Sequence, residues 1–462
     1  MIKITPAFLK QLWLTLSASL AFLIIGLVRG YSSSSIPSIE KYDPNIIQSS
    51  EQKSWIGAIP PLGAFVGSLL SGQLMQRAGR RRTLLLTAPM WAAGWLLLGF
   101  AKHLPLVLLG RAMTGLCVGF VLAPVQVYVS ECCDPEIRGR LGSLPTLSMS
   151  LGILISYTAG NWLYWRYLAF FSAVFCGALF MALLPLPESP VWLEARGEGS
   201  AAAVKWLHLS ARATAVVEDD DNPKSEKSPE VPSLFTRRVF FSSAVLKPLV
   251  VGFALLFFQQ FSGIDAVIFF TVEIFQNSGS KLDAMTATII VGLVQLLSNA
   301  VSTLLVDTAG RRPLLLLSAA VMCASMLAMG AAFYFEFEHE TWLGYLPIAS
   351  LVVFMVGFSL GFGGLPFLLL GELFPAHHRE QLSALASAVN LLSMFTVIKS
   401  YHALDNFLTP AGTFWMYACF CAIAFFFVLF AVPETKGKSL AEIEEHFRGK
   451  KKSQSIQIST IS

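Results

Sequence analysis

The residues equipped for chemistry are few, and they sit inside apolar surroundings. The stretch FFQQFSGIDAVIFF, residues 257–270, is apolar enough for lipid yet carries Gln259, Gln260 and Asp265. Gln295 and Asn390 interrupt two other apolar runs, and Arg29 interrupts a third, LIIGLVRGYSS. A charge at bilayer depth costs about 2.5–3.5 kcal/mol on insertion scales, so such residues usually serve function. Neutral amides both donate and accept hydrogen bonds, which suits a solute rich in hydroxyls. For any one of them taken alone, bonding between helices is the plainer role. No cofactor, bound metal or catalytic constellation is expected.

The elements that carry these residues follow from composition. Of 462 residues, 55% are hydrophobic and 13% charged, against about 25% charged in a soluble domain. Apolar runs of the length needed to cross a bilayer, about 20 residues, recur twelve times. They lie at about 11–36, 55–75, 83–101, 105–129, 141–163, 166–186, 247–276, 284–306, 313–335, 344–371, 381–407 and 411–432. Lys3 and Lys10 precede the first run, but it is long and lacks a small-residue cleavage site, so it is expected to be retained as a helix. Basic residues cluster in alternate loops: Arg77 with 80–82, Arg138 with Arg140, Arg237 with Arg238, Arg311 with Arg312, and Lys436 with Lys438. Segment 336–341 holds Glu336, Glu338 and Glu340 and no Lys or Arg. Basic loops face the cytoplasm, which puts both termini there too. The net charge of +4 gives no reason to expect nucleic acid. The seven cysteines lie mostly in apolar runs or beside basic loops, where disulfides are disfavoured, and no N-x-[ST] sequon is present.

One polar segment, 187–246, divides the runs six and six, and its acidic centre EDDDNPKSEKSPE has the composition of a disordered linker. Its flank, ESPVWLEARGEGSAAAVKWLHL, has helical composition and is expected along the cytoplasmic surface. The expected organisation is a six-helix bundle over 1–186, this linker, a second bundle over 247–433 and a cytoplasmic tail over 434–462. The halves repeat. QRAGRRRTLLL matches DTAGRRPLLLL at a displacement of 231, Glu131/Arg138 matches Glu372/Arg379 at 241, and PESP matches PETK at 246. Two pseudo-symmetric bundles with a site between them near the midplane are the architecture of an alternating-access carrier.

The GRR loops, PESP, QQ-x-x-G, Glu-x-Phe-Pro and PETKG together resemble the sugar porter branch of the major facilitator superfamily over essentially the whole chain. RLGSLPTLSMSLGIL, with Thr146 where many glucose transporters have Gln, looks most like the insect facilitated trehalose transporters and their relatives. The resemblance implies that Gln259, Gln260, Gln295 and Asn390 contact a sugar, with Asp265, Phe367, Thr146 and Arg29 lining the same cavity. It implies a cytoplasmic gate of Arg80, Arg81, Glu131, Arg138, Glu188, Asp307, Arg311, Arg312, Glu372, Arg379 and Glu434. Such arginines and glutamates at helix ends pair with each other or with exposed carbonyls and amides, latching that side closed.

Several positions depart from the pattern. Gln76 replaces the Asp of the first GRR loop, and Val191 replaces the Arg after PESP. Asp265 stands for Asn, Phe269 and Phe270 for a tyrosine pair, Gly364 and Phe367 for a Pro and a Trp, and Ser359 for a Glu. These changes put glucose itself in question and leave the fold intact. Ser32 follows Gly30 and Tyr31 where proton-coupled relatives carry an Asp. Facilitative transport of a hexose or trehalose is therefore the leading expectation. A carrier of a charged or zwitterionic solute and a non-transporting sensor are the alternatives, and the short segment after Pro433 counts against sensing. A small sugar and the lipid bilayer are the expected partners of a monomer, in the plasma membrane or in an endosomal or vesicular one.

Arg29 is the favoured partner for Asp265. Their displacement of 236 falls inside the repeat range, so the two charges occupy near-equivalent positions in helices 1 and 7, at similar depth. Cavity water, or a protonated Asp265, would serve as well. A pair there would favour the inward-open conformation, with the outer side shut.

Overall fold

The computed structural model describes residues 5–197, 199–207, 243–335, 343–374, 379–436, 438, 442 and 447. Among them there is no strand. That is what lipid requires of an open-ended chain, because a helix satisfies its own backbone where water cannot.

The first half holds α1 (Pro6–Tyr42), α2 (Ser50–Ala78), α3 (Arg80–Gly99), α4 (Leu104–Cys132), a short α5 (Pro135–Gly142), α6 (Leu144–Trp162) and α7 (Trp165–Leu183). Two short helices follow, α8 (Pro190–Ala195) and α9 (Ala201–Leu207), where the polar segment has helical composition. The acidic centre expected to be disordered lies outside the described residues. The second half holds α10 (Ser243–Phe261), α11 (Ile264–Asn277), α12 (Ala284–Ala309), α13 (Arg311–Phe335), α14 (Leu346–Leu360), α15 (Leu365–Leu373) and α16 (Arg379–Ala431). Starts are capped as the sequence suggests. Thr5 accepts from the Phe8 amide ahead of Pro6, and Ser49 caps α2 through Gln52.

Two of the expected spans are interrupted, and two others meet at a kink. The run 247–276 is two helices, α10 and α11, broken at Gly263 with φ 87°. A Cβ there would lie 2.6 Å from the Tyr417 ring, so glycine is required twice over. The run 344–371 is also two helices, α14 and α15, separated by 361–364. The runs 381–407 and 411–432 are two helical stretches of α16 that meet at a kink at Thr409, whose φ is 68°, just before Pro410. Proline disfavours helical backbone in the residue before it, so the reversal falls at LTPAG as the apolar runs anticipate. Allowing for these breaks, the described helices make twelve passes in two pseudo-symmetric six-helix bundles, the architecture expected from the repeat.

Within the first bundle α1 packs on α6 and α2 on α4; within the second, α13 packs on α14 and α16, and α10 on α16. The bundles meet where α1 touches α11, α2 touches α16 and α6 touches α12. The α1–α6 contact is backbone on backbone. A Cβ on Gly26 would lie 2.0 Å from Met149 O, and one on Gly152 would lie 2.0 Å from Leu23 O. Small residues allow this approach, which in lipid must supply packing energy that water would otherwise drive.

Gly152→Ala should therefore cost about 1–3 kcal/mol or more, by overpacking that neither backbone can relieve. Gly177→Ala in α7, where a Cβ meets nothing within 4 Å, should be neutral or slightly stabilising. Thermal unfolding of detergent-solubilised protein would check both signs.

Candidate functional site

The α10–α11 break and the middle of α1 bring the first site residues together. Arg29 lies past the midpoint of α1, and Asp265 sits in the first turn of α11, where a helix N-terminus favours an anion. Arg29 Nη2 donates to Asp265 Oδ1, with side chains 19% and 0% exposed. This ion pair joins the two bundles, so Asp265 is met by a cation rather than by water alone. Arg29 Nη1 also lies 3.8 Å from Met149 Sδ. Arg29 Nε and Asp265 Oδ2 have no protein partner among the described residues. Two more bonds fix α11 against the first bundle: Tyr157 Oη donates to Ile268 O at 2.7 Å, and the Val272 amide donates to Ser33 Oγ at 3.1 Å.

The amides form a second group, within the second bundle. Gln259 Nε2 donates to Phe362 O at 2.6 Å, a carbonyl freed by the α14–α15 break, and Gln259 Oε1 accepts from Asn390 Nδ2 at 2.9 Å. Gln260 Nε2 donates to Asn390 Oδ1 at 3.2 Å. Gln260 Oε1 and Gln295 Oε1 are buried acceptors without a protein donor among the described residues. Ser359 is buried, Thr146 is half-buried, and Phe367 is 45% exposed. Gln259, Gln260 and Asn390 are thus one connected cluster, while Gln295, Thr146 and Phe367 share no hydrogen bond with it.

The GRR-loop residues form two matching clusters, each inside its own bundle. Arg80 donates to Glu131 through Nε at 2.9 Å and Nη2 at 2.7 Å, while Ser189 Oγ donates to the same carboxylate. Glu188 accepts from the backbone amides of Arg80, Arg81 and Arg82 and so caps α3. In the second bundle Arg311 donates to Glu372 at 3.0 Å, Thr435 Oγ1 donates to Glu372, and Glu434 accepts from the amides of Arg311 and Arg312. Arg81 and Arg312 donate to the carbonyls of Leu183 and Leu429. Arg138 is exposed and donates to Cys133 O rather than to Glu131. The side chains of Asp307 and Arg379 lie outside the described residues. Partial burial works to raise the Glu434 carboxyl, but the amides of Lys436, Arg311, Arg312 and Thr435 outweigh it and hold it below the usual carboxylate range. Its contribution is therefore present at neutral pH and is lost only as acid protonates the folded carboxylate.

Sequence reasoning passed over Arg111. Fully buried in α4, it donates to Val28 O at 3.0 Å, Ile56 O at 3.2 Å and Ser32 Oγ at 2.5 Å, all neutral acceptors. An arginine inside the apolar run LLGRAMTG was the available signal. It also passed over Lys53, Glu273, Lys399 and His402, which gather at the end of the molecule remote from the N-terminus. The described hydrogen bonds between bundles run from that end only as far as Asn299 Nδ2 to Ser150 Oγ, 2.6 Å. At the N-terminal end, the described ion pairs stay within single bundles.

Comparison with known proteins converges on one family. The profile "Sugar (and other) transporter" matches residues 14–447. The facilitated trehalose transporter Tret1 of Apis mellifera ligustica is 37% identical over 446 residues, 96% of this chain and 89% of that protein. Tret1 of Anopheles gambiae is 37% identical over 446 residues, 95% of this chain but 56% of that longer protein. Among solved structures, the inward open conformation of the xylose transporter XylE from E. coli superposes with TM-score 0.77 at 24% identity, covering 93% and 98% of the two chains, a likeness of fold.

Removing one member of a buried ion pair typically costs about 3–5 kcal/mol, whereas removing both is often close to neutral. Arg29→Val and Asp265→Asn should each impair thermal stability or flux, and the double variant should recover much of the loss. A double variant that merely sums the singles would show that the two charges act independently.

Proposed function

The chain belongs to the sugar transporter family, and on that premise we propose that it is a uniporter moving trehalose or a hexose down its gradient by alternating access. It is a multi-pass membrane carrier, not an enzyme. The observation that supports uniport is the environment of Arg111. Its acceptors include Ser32, where an acid would let the site take up a proton, and two backbone carbonyls. Asp265, the other candidate proton carrier, is already engaged by Arg29 in an ion pair.

A neutral sugar fits the amides. Gln260 Oε1 and Gln295 Oε1 are open acceptors for hydroxyl donors, and Phe367 offers a ring face smaller than a tryptophan's. The basic loops and the ties at the far end support reading this as the inward-open form with both termini cytoplasmic. The chain is assigned to the plasma membrane as a monomer, with an endosomal or vesicular membrane as the alternative. The linker between the bundles is read as cytoplasmic, because six passes separate it from a cytoplasmic N-terminus. A second reading, a zwitterionic solute, draws on the unpartnered Arg29 Nε and Asp265 Oδ2, one donor and one acceptor.

Purified protein in liposomes should equilibrate labelled trehalose or glucose without concentrating it. A coupled carrier given a pH step of one unit would accumulate solute up to about tenfold; accumulation of that kind would overturn uniport. Gln295→Ala and Asn390→Ala should each lower apparent affinity about three- to tenfold, the loss of one hydrogen bond. Labelled amino acids or organic ions entering in place of sugars would favour the second reading. Tags at residues 1, 225 and 462 should be inaccessible in intact cells, and surface labelling of any would reverse the topology.

A further inference from the structure

The ion cluster at the end remote from the N-terminus has no role in the substrate site. Glu273, near the end of α11, lies 3.3 Å from Lys53 Nζ of α2, and its two oxygens lie 3.3 and 3.2 Å from His402 Nε2 of α16. Lys53 also reaches Glu40 of α1 at 2.6 Å. One turn before His402, Lys399 Nζ donates to Ser54 Oγ at 2.9 Å and lies 4.6 Å over the Trp55 ring. Phe270 is stacked on Tyr401 at 5.0 Å and edge-on to His402 at 4.6 Å.

The cluster has a division of labour. Lys53–Glu273, Lys399–Ser54 and a looser Lys399–Glu51 pair at 3.8 Å, whose Glu51 is largely exposed, join the two bundles; Lys53–Glu40 and His402–Glu273 each lie within one. If the bundles part, Lys53 keeps Glu40 and Glu273 keeps His402. Neither charge is stranded, so the cross-bundle tie breaks without the penalty of an unpaired buried ion. A reversible closure needs that property. The side chains of Lys53 and Glu273 are 17% and 15% exposed, dry enough for the tie to count and wet enough for it to open.

We propose that Lys53 and Glu273 are the outer gate of this carrier, oriented by Glu40 and His402. The assignment rests on the alternating-access reading and on the orientation given above. It makes Lys53 and Glu273 positioning residues that set how long the empty carrier stays shut to the outside.

The test needs no solute. Ser33→Cys places a nearly isosteric thiol at the shut interface, where Ser33 is 1% exposed and accepts from Val272. Its labelling by a membrane-impermeant maleimide from outside is scored above the unsubstituted parent, whose own cysteines set the background. Adding Glu273→Gln or Lys53→Met should speed labelling about three- to tenfold, the shift expected from losing one partly exposed pair. The double variant should be no faster than either single, and Lys53→Arg should stay slow. Each variant is compared at equal monodisperse yield, and if Glu273→Gln fails to fold, Lys53→Met against Lys53→Arg decides. Labelling at the parent rate, or additive singles, would overturn the gate. Faster labelling with no flux of trehalose or hexose would count against the substrate reading and leave the gate standing.

Discussion

The most deeply buried ion pair between the bundles, Arg29 to Asp265, sets the terms for the rest of the interface. Neither charge is tolerable alone at that depth, so each half of the molecule needs the other to bury its own ion. The neighbouring bonds can be understood as keeping that pair in register: Tyr157 on the Ile268 carbonyl, and Ser33 under the Val272 amide. They act on backbone, so α11 is located as a rod and not merely at one side chain. The glycine-lined contact of α1 with α6 then passes the position of Arg29 on to Met149 and Tyr157 in the same bundle.

Away from that interface, each bundle is braced by its own copy of one motif. An arginine opens α3 or α13, a glutamate ends α4 or α15, and a hydroxyl beside a second glutamate closes the set. The second glutamate, Glu188 or Glu434, binds backbone amides at the helix start, which fixes the arginine's own helix. Clusters built this way stiffen a bundle. A rocking motion between two bodies is only useful if the bodies are rigid, so bracing and movement are complementary.

Much of this was legible in the sequence, and for definite reasons. Apolar run length and basic-loop alternation specify twelve passes, and the 231–246 displacement specifies two bundles. The same displacement placed Arg29 opposite Asp265, because pseudo-symmetry converts sequence offset into depth. What was hidden has physical causes too. The break at 361–364 does not alter hydropathy, and Gly263 in an apolar run is ambiguous between packing and unwinding. Arg111 was missed because its three neutral acceptors, from α1 and α2, give no local pattern. Lys53, Glu273 and His402 lie far apart in sequence, and none of them repeats. The GRR clusters were expected to form a cytoplasmic gate, and in the conformation described their members are bonded within their own bundles.

The amide cluster carries a consequence for speed. Gln259, Gln260 and Asn390 already bond one another and a carbonyl released by the broken helix. If the proposed sugar site is there, an arriving solute would exchange bonds already made, much as it exchanges bonds in water, leaving little net affinity. For a pump that would be a defect. For a carrier that only lets a gradient run down, it is an advantage: a shallow binding well leaves nothing to climb out of on the far side, and throughput is then limited by the swing of the bundles.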